Sequence, residues 1–177
     1  MLILGYHTLE NRDNVDAIES NGPVKCKTNA AWLGYGYYFW DTNDEWAHKF
    51  GRSRYQENYM IFEGEINLNH ETYDLFGNVK HKLEFRKAWE IMKENGKFSP
   101  EEMIRVADVI EYLKKINNFP YNSIRAADNP AQQNVIPFGG KRKESMVLNE
   151  RVQICLVTKK NLSLPSFRVV HPEQLKN

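Results

Sequence analysis

Trp32-Leu33-Gly34-Tyr35-Gly36-Tyr37-Tyr38-Phe39-Trp40 interleaves Trp, Tyr and Phe with two glycines in nine residues. Glycine costs backbone entropy and marks a turn or a close approach. Aromatic residues favour strands. The stretch therefore predicts a glycine-bearing turn that feeds a short strand, Tyr37 to Asp41. A helix follows, capped by Thr42 or Asn43, with Glu45 near its start. A Tyr presented just after two glycines offers a flat ring to a flat ligand. The same composition also describes an aromatic core strand, so both readings stand at this point.

Outward from that stretch the pattern is mixed α and β. Leu2 to Tyr6 reads as a buried strand that ends in His7-Thr8, and Val15 to Ser20 as a short helix stopped by Asn21-Gly22-Pro23. Asn58 to Leu68 alternates, with Met60, Phe62, Gly64, Ile66 and Leu68 on one face and Glu63, Glu65 and Asn67 on the other. Lys80 to Asn95 predicts a helix lined by Leu83, Ala88, Ile91 and Met92 and ended by Asn95-Gly96. Ser99-Pro100-Glu101-Glu102 starts a second helix, running to about Ile116. Phe119 to Glu144 is polar and rich in turn residues. Ser145 to Leu148, Arg151 to Val157 and Phe167 to Val170 are strand-like. No repeat or linker divides the chain, so residues 1–177 read as one domain.

Composition sets bounds. The chain has 177 residues, 41% hydrophobic and 27% charged, with a net charge of +1. That length carries a real core. Near-neutral charge gives no strong pull toward nucleic acid or anionic lipid. Lys141-Arg142-Lys143 is a local basic run. Cys26 and Cys155 lie far apart, and Cys155 sits in an apolar strand as a small hydrophobe. No secretory or membrane-spanning stretch is seen, which sets a reducing, cytoplasmic compartment as the expectation.

Three ordered segments then read together. His7-Thr8 ends the first strand, Gly34-Tyr35-Gly36-Tyr37-Tyr38-Phe39 precedes a helix carrying Ala47, and a late strand follows Asn149. This trio resembles the ADP-ribosyltransferase superfamily, on the branch shared by diphtheria toxin and the poly(ADP-ribose) polymerases. Within it, the segment Trp32 to Trp40 with Gln153-Ile154-Cys155-Leu156-Val157 is most similar to bacterial and phage members of uncharacterised role. The resemblance implies an α+β fold of two small, mostly antiparallel sheets packed together, with peripheral helices. It implies NAD as substrate, no metal, and transfer of a single ADP-ribose unit to a macromolecular acceptor with release of nicotinamide. Binding of NAD or ADP-ribose without turnover, and NAD hydrolysis, are the alternatives. A toxin or defence role, a cognate antitoxin or regulatory partner, and no membrane association follow by the same association.

Site residues come from the resemblance too. His7 is expected to meet a hydroxyl of the nicotinamide ribose, and the Thr8 backbone the carboxamide. Tyr38 is expected to stack on the nicotinamide, with Gly36, Phe39 and Phe50 completing the cofactor contacts. The His7 and Tyr38 side chains are expected to face one cleft. Two registers serve the third motif. Either Gln153 takes the acid's position, the favoured choice, or Glu150 is the catalytic acid. Three positions apart in a strand means opposite faces, so the two exclude each other. Gln153 would hold the ribose without bringing negative charge to the oxocarbenium, which disfavours chain extension. Where relatives place a second stacking Tyr after Ala47, this chain has Lys49 followed by Phe50. The segment from Phe119 to Glu144, with Arg125, Lys141, Arg142 and Lys143, is the expected acceptor contact.

Overall fold

The computed structural model describes residues 1–95, 103–116, 119–128, 135–138 and 144–175. The aromatic strand forms as β2 (Tyr37–Asp41). Chain reversal after it uses Thr42 at φ 59°. Asn43 then caps α2 (Asp44–Tyr55), its side chain accepting from the Glu45 N–H. The first strand, β1 (Leu2–Glu10), runs past His7. It is followed by α1 (Val15–Asn21), ended by Gly22 at φ 79°. The alternating strand is β3 (Tyr59–Asn67), and β4 (Thr72–Asp74) and α3 (Val79–Glu94) come next. The chain continues through α4 (Val106–Ile116), β5 (Ser123–Ala127), β6 (Val135–Phe138), β7 (Glu144–Val147), β8 (Val152–Leu156) and β9 (Arg168–His171).

The fold is mixed α+β, but the expected pair of packed sheets is corrected. Seven strands join one sheet in the order β4-β5-β8-β2-β1-β3-β9, and β6-β7 form a separate hairpin. All pairings are antiparallel except β4 with β5. β2 explains the continuity. One edge pairs with β8 from Tyr37↔Leu156 to Trp40↔Gln153, and the other takes β1 through Gly5↔Asp41 and Tyr6↔Trp40. Beside those two residue pairs, the Thr42 N–H donates to the Leu4 carbonyl at 2.9 Å, and these few backbone contacts join the two halves of the sheet.

Each face has its own core. On one, Val109, Ile110 and Leu113 of α4 and Ala88 and Met92 of α3 cover Tyr73, Ile124 and Cys155. Beside them on the same face, Trp46 and Ala47 of α2 cover Trp40, Tyr59 and Ile61. The opposite face buries Phe39, Phe62, Ile66, Ile154, Leu156 and Phe167, flanked by Val15 and Ile18 of α1. β3 thus buries residues on both faces, Tyr59 and Ile61 under α2 and Met60, Phe62 and Ile66 in the opposite core, more than a one-faced strand requires. α2 lies close because Gly51 has no side chain: a Cβ there would stand 2.4 Å from the Tyr59 ring.

Other expectations shift. Leu83 does not line the α3 core face but is 50% exposed. α4 begins at Val106 with Met103 exposed before it, and the Ser99-Pro100 start lies outside the described residues. The polar stretch after Phe119 holds a strand of the main sheet, β5. Its one large apolar side chain, Ile124, hid it, since neighbouring strands on both sides do the burying. Arg125 is engaged inside the sheet instead. Its guanidinium bonds Asp41 at 2.6 Å, faces Asp74 at 3.6 Å and stacks on Phe76 at 4.7 Å. Lys141, Arg142 and Lys143 lie outside the described residues.

The Asp41 side chain is 4% exposed and the Arg125 side chain 15%, so this pair is buried and spans β8. Removing one partner strands a buried charge. Asp41→Ala is expected to cost about 3 kcal/mol, at the low end for a broken buried pair because Asp74 remains. Urea unfolding checks this, and a loss under 1 kcal/mol would show that the pair is not a clamp.

Candidate functional site

Strands β1 and β2 separate immediately beyond Tyr6 and Trp40. Continued register would set Thr8 against Tyr38, but no backbone pair forms there. The His7 ring takes over. Its Nδ1 lies 2.7 Å from the Tyr38 carbonyl oxygen, and its Nε2 accepts from the Val24 N–H at 3.2 Å. Because Nε2 accepts, Nδ1 carries the proton and donates to Tyr38. The ring is 5% exposed and packs on Phe39 at 5.3 Å and Phe167 at 6.3 Å. Burial pushes its pKa down to about 4, against a small opposing effect of the Tyr38 carbonyl. His7 is thus a neutral strut joining β1, β2 and the segment after α1.

The Tyr38 ring points to the other face, against the core under α3 and α4. Strand alternation imposes this: His7 shares a face with Phe39, and Tyr38 with Trp40. The expected common cleft for the His7 and Tyr38 rings is therefore corrected; only the Tyr38 backbone meets His7. The Tyr38 hydroxyl accepts from the Leu33 N–H at 2.9 Å and donates to the Gly34 carbonyl at 2.7 Å. It braces the glycine turn, and burial raises its pKa. Gly36 pairs with Cys26, and a Cβ on it would stand 2.4 Å from the Cys155 sulfur. Burial pushes the Cys155 thiol up to about 12, so it stays protonated. Phe39 is 1% exposed and belongs to the opposite core.

The face that carries Tyr38 also carries Gln153. Successive registers set Ala126, Gln153, Trp40, Tyr6, Glu63 and Arg168 in one row across six strands. Gln153 is half-buried, and its amide oxygen accepts from the Trp32 indole N–H at 2.5 Å. Two positions earlier, the Arg151 guanidinium bonds Asp128 at 2.8 Å and lies over Trp46 at 5.2 Å and Trp40 at 6.0 Å. Thr8 is buried on this face, and its hydroxyl donates to the Ala47 carbonyl at 3.1 Å. Phe50 is 41% exposed, 6.1 Å from the Trp40 ring. Glu150 is half-buried but precedes β8, so strand alternation does not aim it.

The structure thus brings together Gln153, Tyr38, Thr8 and Phe50 and sets His7 and Phe39 on the far face. Sequence reasoning missed Trp32, Trp40 and Arg151 as site residues. The first two stood in the quoted aromatic stretch, and Arg151 stood at strand period from Gln153. Chemically this is a neutral, aromatic-walled hydrogen-bonding site with one adjoining guanidinium. Among the described residues no group of His, Cys, Asp or Glu is arranged to hold a metal ion. Among them, too, no helix is long and apolar enough to cross a membrane. Comparison of the chain with family models, curated proteins and solved structures gives no match.

Two tests address the strut and the brace. The folded pKa of His7 lies below its unfolded value of 6.5. Its contribution is complete above pH 6.5 and is lost as pH falls toward 4, by about 3 kcal/mol in all. Melting curves across that range should show the loss, and His7→Gln, less stable at pH 7, should show a shallower slope. Equal slopes would mean that His7 does not titrate as a buried neutral group. Tyr38→Phe leaves the Leu33 N–H unpaired and the Gly34 carbonyl with only the Cys155 thiol at 3.7 Å, and is expected to cost about 1–3 kcal/mol in denaturant unfolding.

Proposed function

We propose that the chain binds NAD along the Gln153–Trp40 part of the row and transfers a single ADP-ribose unit to a macromolecular acceptor, releasing nicotinamide. One observation carries the reading. The three segments that resemble ADP-ribosyltransferases come from both ends of the chain, yet their strands lie side by side as β8, β2 and β1. In this reading the Gln153 amide holds the ribose of the nicotinamide end by hydrogen bonds. The rings of Tyr38, Trp40 and Trp32 wall the nicotinamide, and the Thr8 backbone pairs with its carboxamide. His7 acts as a positioning residue rather than a ribose contact, because both ring nitrogens already hold backbone groups. It fixes β2 and so aims Tyr38 and Trp40.

As the glycosidic bond to nicotinamide breaks, positive charge develops on the ribose. A Gln places an amide dipole there, weaker than a carboxylate. The consequence is slow, single-event chemistry, in keeping with an effector such as a toxin or defence protein held by a cognate antitoxin. The neutral Gln153 and the fully engaged His7 also favour a second reading, NAD or ADP-ribose binding without turnover.

NAD is expected to raise the melting temperature, since it binds only the folded state. Gln153→Ala should cut nicotinamide release about tenfold or more, and Gln153→Glu should raise hydrolysis by supplying the missing charge. Glu150→Ala should change release by less than about twofold; the opposite ranking would make Glu150 the acid. Thermal shift with NAD but no nicotinamide leaves the binding module. No shift at millimolar NAD would remove both readings.

A further inference from the structure

A cavity of about 510 Å³ opens beside α2, at the far end of the row from Gln153. Five elements wall it: Tyr6 of β1, Glu19 of α1, Asp44 and His48 of α2, Glu63 of β3 and Arg168 of β9. Ile61 and Val169 add aliphatic surface. The volume lies within the range of small-molecule sites, about 300–1,000 Å³. We propose that this cavity binds an organic cation, an alkylguanidinium or alkylammonium group. The proposal goes beyond the NAD reading and does not depend on it.

Charge balance makes the argument. Three carboxylates converge on one half-open volume from three different elements, against one guanidinium and the imidazoles of His48 and His171. An anionic ligand such as a phosphate would meet like charge. The chain itself shows what the wall accepts. Glu63, whose side chain is 15% exposed, takes both Nε and Nη2 of Arg168 on one oxygen, at 2.9 and 2.8 Å. Arg168 is 72% exposed, so a half-buried carboxylate holds a guanidinium that reaches in from solvent. Tyr6 adds an aromatic surface for a cation. Burial, with Asp44 and Glu63 nearby, raises the Tyr6 phenol further, so it stays un-ionised in a negative surrounding. His48 adds no compensating charge near neutral pH. Burial holds its pKa below the ordinary value, and its Nδ1 lies 2.9 Å from the Tyr59 hydroxyl.

Guanidinium from solution and guanidinium on an arginine side chain share this chemistry, and the test separates them. Agmatine and the peptide acetyl-Gly-Arg-Gly-amide are titrated into the full chain by calorimetry, with inorganic phosphate as the anionic control. Agmatine should bind. Glu63→Gln should weaken it about tenfold, and Arg168→Ala, which removes the internal competitor, should tighten it about threefold or more. Arg168 is exposed, so its variant keeps the test open if Glu63→Gln unfolds. A peptide bound about tenfold more tightly than agmatine assigns the pocket to a macromolecule's side chain, and equal affinity assigns it to a small cation. No agmatine binding at 10 mM (about 2.7 kcal/mol on the affinity scale), agmatine affinity unmoved by both variants, or phosphate bound in its place overturns the proposal.

Discussion

Two neighbouring strands that stop pairing leave backbone groups without partners, and a buried orphan carbonyl costs about 1–3 kcal/mol. In this chain β1 and β2 stop pairing after two residue pairs, in the middle of the sheet. The His7 imidazole meets that cost. It donates to the Tyr38 carbonyl on one side and accepts from Val24 on the other. Everything proposed for the site depends on this bridge. Without it the backbones of the two halves would meet through Leu4, Gly5 and Tyr6 on one side and Trp40, Asp41 and Thr42 on the other. With it β2 is fixed, and the gap admits the Thr8 hydroxyl and the close backbone of α2 at Ala47 on the other face. A side chain that both donates and accepts while neutral is needed, which an imidazole of depressed pKa provides.

The same sheet face carries two different chemistries along one row. At Gln153 and Trp40 the groups are neutral amides and indoles. At Tyr6, Glu63 and Arg168, one, two and three strands beyond Trp40, a neutral phenol stands beside charged groups and the local balance is negative. α2 separates the two ends, sending Trp46 and Ala47 into the core and lining the cavity with Asp44 and His48. One helix, held near β3 because Gly51 lacks a side chain, therefore shapes both places. A net charge of +1 for the chain conceals this contrast.

How much the sequence revealed depended on which force governed each residue. β2 and the Asn43 cap were legible because local chemistry decides them: aromatic strand propensity and an Asn aimed at a helix start. β5 was not, since Ser123-Ile124-Arg125-Ala126-Ala127 is buried by its neighbours rather than by its own hydrophobicity. Arg125 read as part of an acceptor-contact segment and proved to be half of a buried pair, because Asp41 reaches it only through the sheet order. The role of His7 was illegible for a similar reason. Which face it takes follows from alternation, but its two partners follow from where the strands part, and no local pattern encodes that. Gln153 is preferred to Glu150 on the resemblance of Gln153 to Val157 to a late strand of bacterial and phage members, whereas its bond to Trp32, 121 residues away, has no local signal.

Under the proposed NAD reading, that partner bears on how the ligand enters. The segment from Val24 to Gly36 is tied at several points: Val24 to His7, Cys26 to Gly36, and Leu33 and Gly34 to the Tyr38 hydroxyl. The Trp32–Gln153 bond is a further tie, and it is the one made by two side chains. Backbone ties hold the segment as a unit, whereas the indole moves by rotating its own torsions. A neutral hydrogen bond contributes about 1 kcal/mol net, and an incoming hydroxyl replaces it at the Gln153 amide. Entry therefore asks for a rotamer change of Trp32 and no unfolding of the segment. The ties at Val24, Leu33 and Gly34 do not pass through the Trp32 side chain, so they hold the segment whatever rotamer the indole takes.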